Sequence, residues 1–225
     1  MRRIVTSAFV SLDGVMQAPG GPHEDPTDGF SHGGWLVPHM DAATGAVIGE
    51  LFDAPFDLML GRRTYDIFAA YWPDIANKPE ADTGTLAIGA AFDRATKYVA
   101  THRPESLAWQ NSRSLGPDIV AGIRTLRAGD GPTLLTQGSS TLVHTLLAAD
   151  LLDEIRLFIF PVVLGRGKRL FAENALPAGY RLTRSATSGS GVVMASYERA
   201  GAVPTGEFGP DRPTPAEIER RRTLT

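Results

Sequence analysis

A strand that runs through a polar turn into a helix occurs more than once along this chain, and this repeated order constrains the fold more than any other feature. FDLML at 56–60 leads through Gly61 into a helix that begins near Arg62. The same order returns at 132–154, where an apolar strand precedes a Gly-Ser-Ser turn at 138–140 and then a helix. Strands that alternate with helices predict a mainly parallel sheet covered on both faces. The expected class is therefore α/β.

The other expected elements extend this pattern along the chain. They are a strand at 3–12, a helix at 38–52, a strand that ends in a polar loop at 96–104, a helix near 117–127, and strand-like runs at 154–164, 179–187 and 191–199. Because no helix separates the last three runs, they predict an antiparallel edge that closes the sheet.

The segment 17–35 contains too many Gly, Pro and Asp residues for a helix and is longer than most loops, so it is expected to be a lid or a binding loop. Its His23, Glu24, Asp25 and His32 are of the types that bind metal ions. In such a loop the favoured interpretation is solvated polar side chains. The chain has no cysteine, and no metal site is predicted.

Charge and hydropathy argue against several kinds of partner. The net charge of −3 is too small to attract nucleic acid or anionic lipid over the whole surface. No segment approaches the roughly 18 apolar residues of a membrane span, and the N-terminus lacks the pattern of an export signal. We therefore expect a cytoplasmic protein with a small-molecule substrate and neither a nucleic-acid nor a membrane partner.

Two regions of different composition are expected. Residues 1–200 should form one domain, and 201–225 a polar, Pro-rich tail. Within the tail, Thr214 to Glu217 form a capping box with proline at the first helical position, which predicts a short helix at 215–222.

The turn from Gly61 to Thr64 could bind an anion. It combines backbone N–H groups at a helix start, a hydroxyl, and the guanidinium groups of Arg62 and Arg63. Two arginines at a helix start oppose the helix dipole, which suggests that an anion compensates their charge. The alternative is that they pair with Asp57 or Asp66.

Two further polar junctions follow predicted strands. The turn 137–141 has small residues that would let a pyrophosphate approach the backbone; the alternative there is an ordinary Ser-capped helix. Residues 101–103 add polar and cationic groups. Neither the P-loop nor the Rossmann glycine pattern is present. On a parallel sheet all three junctions would meet at the carboxyl edge, where open α/β sheets bind ligands.

Segments between residues 2 and 199 resemble the dihydrofolate reductase-like superfamily. They are IVTSAFVSLDGVM at 4–16, LMLGRRTYDIF at 58–68, QGSSTLVHTLL at 137–147 and DEIRLFIFPVVLGRGKRLF at 153–171. The last is similar to the reductase domain of the riboflavin-biosynthesis deaminase–reductase, and SLDGVMQAPGGP resembles a stand-alone branch of the superfamily. The resemblance implies a three-layer fold with helices on both faces of a mixed, mainly parallel sheet.

The resemblance also implies an NADPH site built from the three junctions and the first strand. The phosphates would lie at Gly61–Thr64 and at the turn 138–142, the adenosine 2′-phosphate near 101–103, and the nicotinamide against Ala8 and Phe9. The residues expected to bind the cofactor are Ala8, Gly61, Arg62, Arg63, Thr64, Thr101, His102, Arg103, Gln137, Gly138, Ser139, Ser140, Thr141 and Leu142.

The substrate side departs from dihydrofolate reductases. Their pterin-contacting carboxylate matches a position near Gly45, where no acid stands. Asp41, one turn earlier, is the catalytic candidate: burial would raise its pKa and let it relay a proton to the substrate nitrogen. The alternative is an acid that favours the start of its helix. Phe9, Asp13 and Trp35 are expected to contact the substrate.

The resemblance implies an NADPH-dependent oxidoreductase that transfers hydride to a C=N or C=O bond in a pterin-like heterocycle or a sugar-derived imine. Two alternatives stay open. One is the pyrimidine-reductase step of riboflavin biosynthesis, acting with a separate deaminase chain, and the other is a non-catalytic nucleotide-binding module. A homodimer is also predicted, because EIRLFIFPVV at 154–163 offers apolar residues on both alternations.

Overall fold

The computed structural model describes residues 1–79, 81–207 and 213–224. Its strands are β1 (Ile4–Ser11), β2 (Phe56–Gly61), β3 (Lys97–Ala100), β4 (Ser112–Ser114), β5 (Thr133–Gln137), β6 (Glu154–Phe160), β7 (Gly179–Thr187) and β8 (Val193–Gly201). Its α-helices are α1 (Ala42–Gly49), α2 (Arg62–Tyr71), α3 (Thr83–Arg94), α4 (Ile119–Ala128), α5 (Ser140–Ala148) and α6 (Pro215–Arg222).

The eight strands form one sheet in the order β4-β3-β2-β5-β1-β6-β8-β7. Each pair of neighbouring strands from β4 to β6 in this order is parallel. By contrast, β8 is antiparallel to β6, and β7 is antiparallel to β8. This confirms the predicted mainly parallel sheet with an antiparallel C-terminal edge.

Alternating side chains in β2 show how helices cover both faces of the sheet. Leu58 packs in a cluster with Phe92 of α3, to which α2 also contributes. Met59, the next residue, packs in a cluster with Ile123 of α4, to which α5 also contributes. Successive residues of a strand point to opposite faces. The sheet is therefore the middle of three layers.

Both faces of β6 are covered by the chain itself. Ile155 belongs to the cluster that contains α4 and α5, and Leu157 packs against the same cluster. On the other face, Phe158 and Phe160 pack in a cluster with Trp35. A partner is therefore not needed to bury one face of β6, and the homodimer stays a prediction without that support.

Some element boundaries differ from the expected ones. The helix expected at 38–52 is reduced to α1, with 3-10 turns at Val37–His39 and Glu50–Phe52. The strand expected within 96–104, by contrast, ends in a polar loop as predicted: β3 stops at Ala100, before the 3-10 turn Pro104–Ser106. Helix α3 and the short strand β4 were not expected from the pattern.

The predicted tail helix is present as α6, and the Thr214 hydroxyl accepts a hydrogen bond from the Glu217 N–H at 3.3 Å. Residues 208–212 of the tail lie outside the described residues. The division at residue 200 stays a prediction. In the described part of the chain, no helix has the length and apolar character needed to cross a membrane.

Candidate functional site

A cleft of about 480 Å³ opens where β1, β2, β3 and β5 end. Its position at the carboxyl edge of the parallel strands is the one expected for open α/β sheets. All the residues predicted to bind the cofactor line this cleft except Ala8 and Arg103. The structure therefore brings the three polar junctions together.

The turns that precede α2 and α5 are joined by hydrogen bonds. The Gly61 N–H donates to the Ser139 hydroxyl at 2.9 Å, and the Ser139 N–H donates to the Thr64 hydroxyl at 3.1 Å. Gly138 and Ser139 both have positive φ, near 60°, so this turn is left-handed over two residues. The left-handed turn brings the start of α5 against the start of α2.

These two helices differ from the others at their N-termini. A side-chain oxygen accepts from a first-turn N–H in α1, α3, α4 and α6. Within the described residues, α2 and α5 have no such side-chain cap. Ser139 does not cap α5, because its hydroxyl binds the Gly61 N–H instead. The alternative of an ordinary Ser-capped helix is therefore wrong, and two uncapped helix starts face one cleft.

Arg62 is held at one end of the cleft by several oxygens. Its Nε donates to both carboxylate oxygens of Asp66 at 2.8 and 2.9 Å, which raises the pKa of Arg62. Its Nη1 reaches the Ser106 hydroxyl at 2.6 Å and the Thr101 hydroxyl at 3.3 Å. Pairing with Asp66, the alternative to anion binding, thus occurs, yet the guanidinium still lines the cleft.

Arg103 contributes its backbone rather than its side chain to this end. Its carbonyl accepts from Arg62 Nη1 at 3.3 Å, and its N–H donates to the Thr101 hydroxyl at 3.0 Å. Its side chain is not part of the cleft wall.

Asp25 is the centre of an ion cluster that links the loop 17–35 to two other segments. Its carboxylate, 9% exposed, accepts from Lys168 Nζ at 2.5 Å and from Arg63 Nη1 at 2.9 Å. The Thr27 hydroxyl also donates to it, at 2.6 Å. Burial acts to raise the pKa of Asp25, but these hydrogen bonds together hold it below its ordinary value. The expectation that the polar side chains of this loop are solvated is therefore wrong for Asp25.

Glu24 is also one of the residues that line the cleft. One of its oxygens, Oε2, accepts from the Gly20 N–H at 2.6 Å. Burial is the largest influence on this carboxyl and raises its pKa. In the sequence, the only signal that Glu24 would line the cleft is that it belongs to an acidic pair in a long loop. Among the described residues, no group of three His, Cys, Asp or Glu side chains could hold a metal ion.

Of the residues expected at the substrate, Phe9 lines the cleft. Its ring lies edge-on to Phe158, with centroids 5.2 Å apart. Trp35 lies outside the cleft wall, buried against Phe160, and its indole N–H donates to the Gln17 carbonyl at 2.8 Å. Ala8 faces the opposite side of β1 and packs with the core.

Asp13 also lies outside the cleft wall, where it holds the chain after β6. It accepts from the Ser11 hydroxyl at 2.6 Å and from the N–H groups of Leu164 and Gly165 at 3.1 and 2.9 Å. The Ser11 bond and these amides lower its pKa to about 2.

Asp41 is the N-cap of α1. Its Oδ1 accepts from the Thr44 N–H at 2.8 Å, and its Oδ2 accepts from the Ser190 N–H at 3.1 Å. The hydrogen bonds from Thr44, followed by those from Ser190, lower the pKa of Asp41. The expected rise in its pKa is therefore wrong, because the carboxylate is solvent-accessible and accepts N–H groups. The contacts support the alternative of an acid that starts its helix.

The sheet order, the three layers and the cleft at the strand ends define a dihydrofolate reductase-like α/β protein. A family model described as the RibD C-terminal domain matches residues 2–194. The chain belongs to this family, which confirms the resemblance found in its sequence.

Several known proteins are similar to this chain in sequence or in fold. The chain is 26% identical over 196 residues to the uncharacterized protein YyaP of Bacillus subtilis, with 87% of this chain and 94% of that protein covered. It is similar in structure to a diaminohydroxyphosphoribosylaminopyrimidine deaminase/5-amino-6-(5-phosphoribosylamino)uracil reductase from Thermotoga maritima, with TM-score 0.57, 16% identity, and 88% and 57% of the two chains covered. A pyrimidine reductase-like protein from Corynebacterium diphtheriae gives TM-score 0.53 and 12% identity, with 88% and 92% covered.

Proposed function

We propose that this protein is an NADPH-dependent reductase that transfers hydride to a C=N or C=O bond of a small heterocyclic or sugar-derived substrate. The observation that carries the proposal is the pair of uncapped helix starts, α2 and α5, joined through Ser139 in one cleft. Free N–H groups and the helix dipole favour a phosphate at each start. Two such starts side by side suit a pyrophosphate.

The chain's own residues divide the cleft into a polar and an apolar part. The N–H groups of the first turns of α2 and α5 would hold the pyrophosphate, with the Thr64 and Ser140 hydroxyls beside them. Phe9 and Met16 contribute an apolar region to the cleft wall, which Ser7 also lines. When bound, NADPH supplies the hydride, and this region would hold its nicotinamide away from water.

Arg62 favours NADPH over NADH in this arrangement. It stands beside Thr101 and His102 in the cleft wall, where the resemblance places the adenosine 2′-phosphate. A guanidinium matches the geometry of a phosphate. Although Asp66 pairs with Arg62, the aspartate is exposed, so a phosphate can compete for the guanidinium.

A pyrimidine reductase of riboflavin biosynthesis is the more specific candidate. Membership of the RibD C-terminal domain family supports it, as does similarity to the Thermotoga maritima deaminase/reductase. We place the activity in the cytoplasm, with a homodimer as the working form.

The decisive experiment incubates the purified protein with NADPH and a panel of pterins, ribosylaminopyrimidines and sugar-derived imines, and follows the loss of NADPH absorbance. Oxidation with one member of the panel supports the reductase and identifies its substrate class. Oxidation with ribosylaminopyrimidines alone supports the riboflavin step. Binding of NADPH without any turnover would favour a non-catalytic nucleotide-binding module, and absence of binding would refute all three.

A further inference from the structure

Two neighbouring carboxyl groups line the cleft in opposite environments. Asp25 accepts from Lys168 and Arg63, and its pKa is lowered. Glu24 has no ion-pair partner within the described residues, and its pKa is raised. Adjacent titratable groups whose pKa values are driven apart are typical of an acid and its supporting charge.

The surroundings of Glu24 explain why it keeps its proton to higher pH than an ordinary glutamate. Burial is the first cause of the raised pKa, and the negative charge of Asp25 adds to it, while the N–H groups of Gly20 and Gly21 act against it. The nearby cations Arg63 and Lys168 do not offset this, because both are engaged by Asp25.

The geometry leaves one oxygen of Glu24 available to a ligand. Its Oε2 accepts from the Gly20 N–H at 2.6 Å, which fixes the orientation of the carboxyl. In the part of the chain that the structure describes, no contact with full hydrogen-bond geometry reaches Oε1, although the Gly21 N–H lies close enough to lower the pKa of the carboxyl, and the residue forms part of the cleft wall. A protonated Oε1 is therefore a donor that a ligand can use.

We propose that Glu24 is the catalytic acid, which donates the proton that accompanies hydride transfer to the substrate. This rests on the proposed reductase function. The substrate carbon gains a C–H bond from the nicotinamide hydride, and the electron pair of the C=N or C=O bond moves to nitrogen or oxygen. That atom forms a bond to the Glu24 proton as the carboxyl O–H breaks. The cofactor is oxidised, the substrate is reduced, and the carboxylate takes a proton from water.

The test compares Glu24→Gln and Glu24→Asp with wild type on the substrate that the panel identifies. Gln keeps the size and an acceptor for Gly20, so the fold should be retained, but it cannot donate an acidic proton. We expect kcat to fall by about a hundredfold in Glu24→Gln, with partial recovery in Glu24→Asp. NADPH affinity, measured by fluorescence, should stay within about twofold. The fall of wild-type kcat at high pH should be absent in Glu24→Gln.

Asp28→Asn is the matched control, because Asp28 lies in the same loop, is exposed, and has a positive φ that asparagine also tolerates. It should behave as wild type. A ¹³C carboxyl titration of the free protein gives a readout without turnover, and a signal with raised pKa should disappear in Glu24→Gln.

An ordinary pKa for Glu24, or unchanged kcat in Glu24→Gln, would overturn the assignment of the acid while leaving the reductase intact. A wild-type protein that oxidises NADPH with no member of the panel would instead refute the reductase, and the assignment with it.

Discussion

At the scale of single residues, Arg62 is the side chain on which cofactor preference should depend most. It is the cationic group of the cleft that stands beside Thr101, and it is oriented by bonds to Asp66 and Ser106. Because charge-assisted hydrogen bonds to phosphate are strong, Arg62→Ala should reduce the preference for NADPH over NADH by about tenfold or more. Titration calorimetry with both cofactors measures this.

Arg103→Ala is the control for the effect of Arg62→Ala on cofactor preference. Its side chain lies outside the cleft wall, so the preference should change by less than about twofold. Equal affinity of the wild type for NADPH and NADH would contradict the assignment of the 2′-phosphate end.

Substitutions of Asp41 distinguish a helix-capping role of this residue from a catalytic one. Alanine removes both the Thr44 and the Ser190 contacts, whereas asparagine can still cap α1. We expect Asp41→Ala to lower the urea midpoint of unfolding, Asp41→Asn to stay close to wild type, and kcat to remain within about twofold in both. A loss of kcat of about a hundredfold in Asp41→Asn would restore the catalytic role predicted from the sequence.

The sequence predicts which turns form the cleft better than it predicts what individual side chains do there. The positions of the turns at Gly61 to Thr64 and Gln137 to Leu142 could be predicted, because strand and helix periodicity are local properties of the sequence. The roles of Asp13 and Asp25 depend on Leu164, 151 residues away, and on Lys168, 143 residues away. No local pattern contains such partners.

At the scale of elements, every α-helix given above except α3 overlaps a helix predicted from the sequence. The two glycines of α3, Gly84 and Gly89, do not explain this difference, because the predicted α1 also contains two, Gly45 and Gly49. The structure shows why Gly89 is there: a Cβ would come within 2.5 Å of the Ile75 side chain. Its start does carry a signal, since Asp82 accepts from the Thr85 N–H. Strand β4 has only three residues, too few for any alternation to be read.

Lys97, at the start of β3, joins the end of α3 to the loop before β4. It is completely buried, donates to the carbonyls of Asp93 and Gln110 at 3.2 and 3.0 Å, and lies 4.2 Å from the centre of the Trp109 ring. Burial lowers its pKa from 10.5 to about 8. Between these values the unfolded chain binds more protons than the folded one, so stability should rise with pH.

We expect the free energy of unfolding to rise by about 2 to 3 kcal/mol more in wild type than in Lys97→Met between the two pKa values. Urea unfolding at a series of pH values measures this difference. Lys78→Met, at a partly exposed lysine, should follow wild type. Parallel curves for wild type and Lys97→Met would show that Lys97 titrates normally.

At the scale of the whole molecule, the antiparallel edge leaves β7 as the last strand, with one side unpaired. Most of its residues are exposed and two, Arg181 and Arg184, are charged, which disfavours edge-to-edge pairing. A homodimer would therefore have to use another surface. Light scattering across micromolar concentrations should give twice the 24.1 kDa chain mass if the predicted homodimer forms. A mass that stays at one chain would contradict it.

The loop 17–35 lines part of the cleft and is held there by contacts with distant parts of the chain. Gln17 donates to the carbonyls of Asp25 and Thr27 and accepts from the Lys168 N–H, each at 3.0 Å. The Asp25 carboxylate then connects Lys168 to Arg63 at the start of α2. One residue thus joins the loop, the segment after β6 and the helix that begins the proposed cofactor site.

Asp25→Asn should loosen this loop while leaving the sheet folded. An amide keeps the size but loses the charge that holds both cations, so the loop should be cleaved faster in limited proteolysis, and NADPH should dissociate faster. Because the pKa of Asp25 is lowered from 3.8 in the folded protein, its contribution to stability is present above 3.8 and is lost as the pH falls through the lower folded value. Wild-type proteolysis should therefore be slow at neutral pH and should approach that of Asp25→Asn only in strong acid. Asp28→Asn, in the same loop but outside the cluster, should be cleaved at the wild-type rate. Equal cleavage of Asp25→Asn and wild type at neutral pH would show that the Gln17 contacts alone hold the loop.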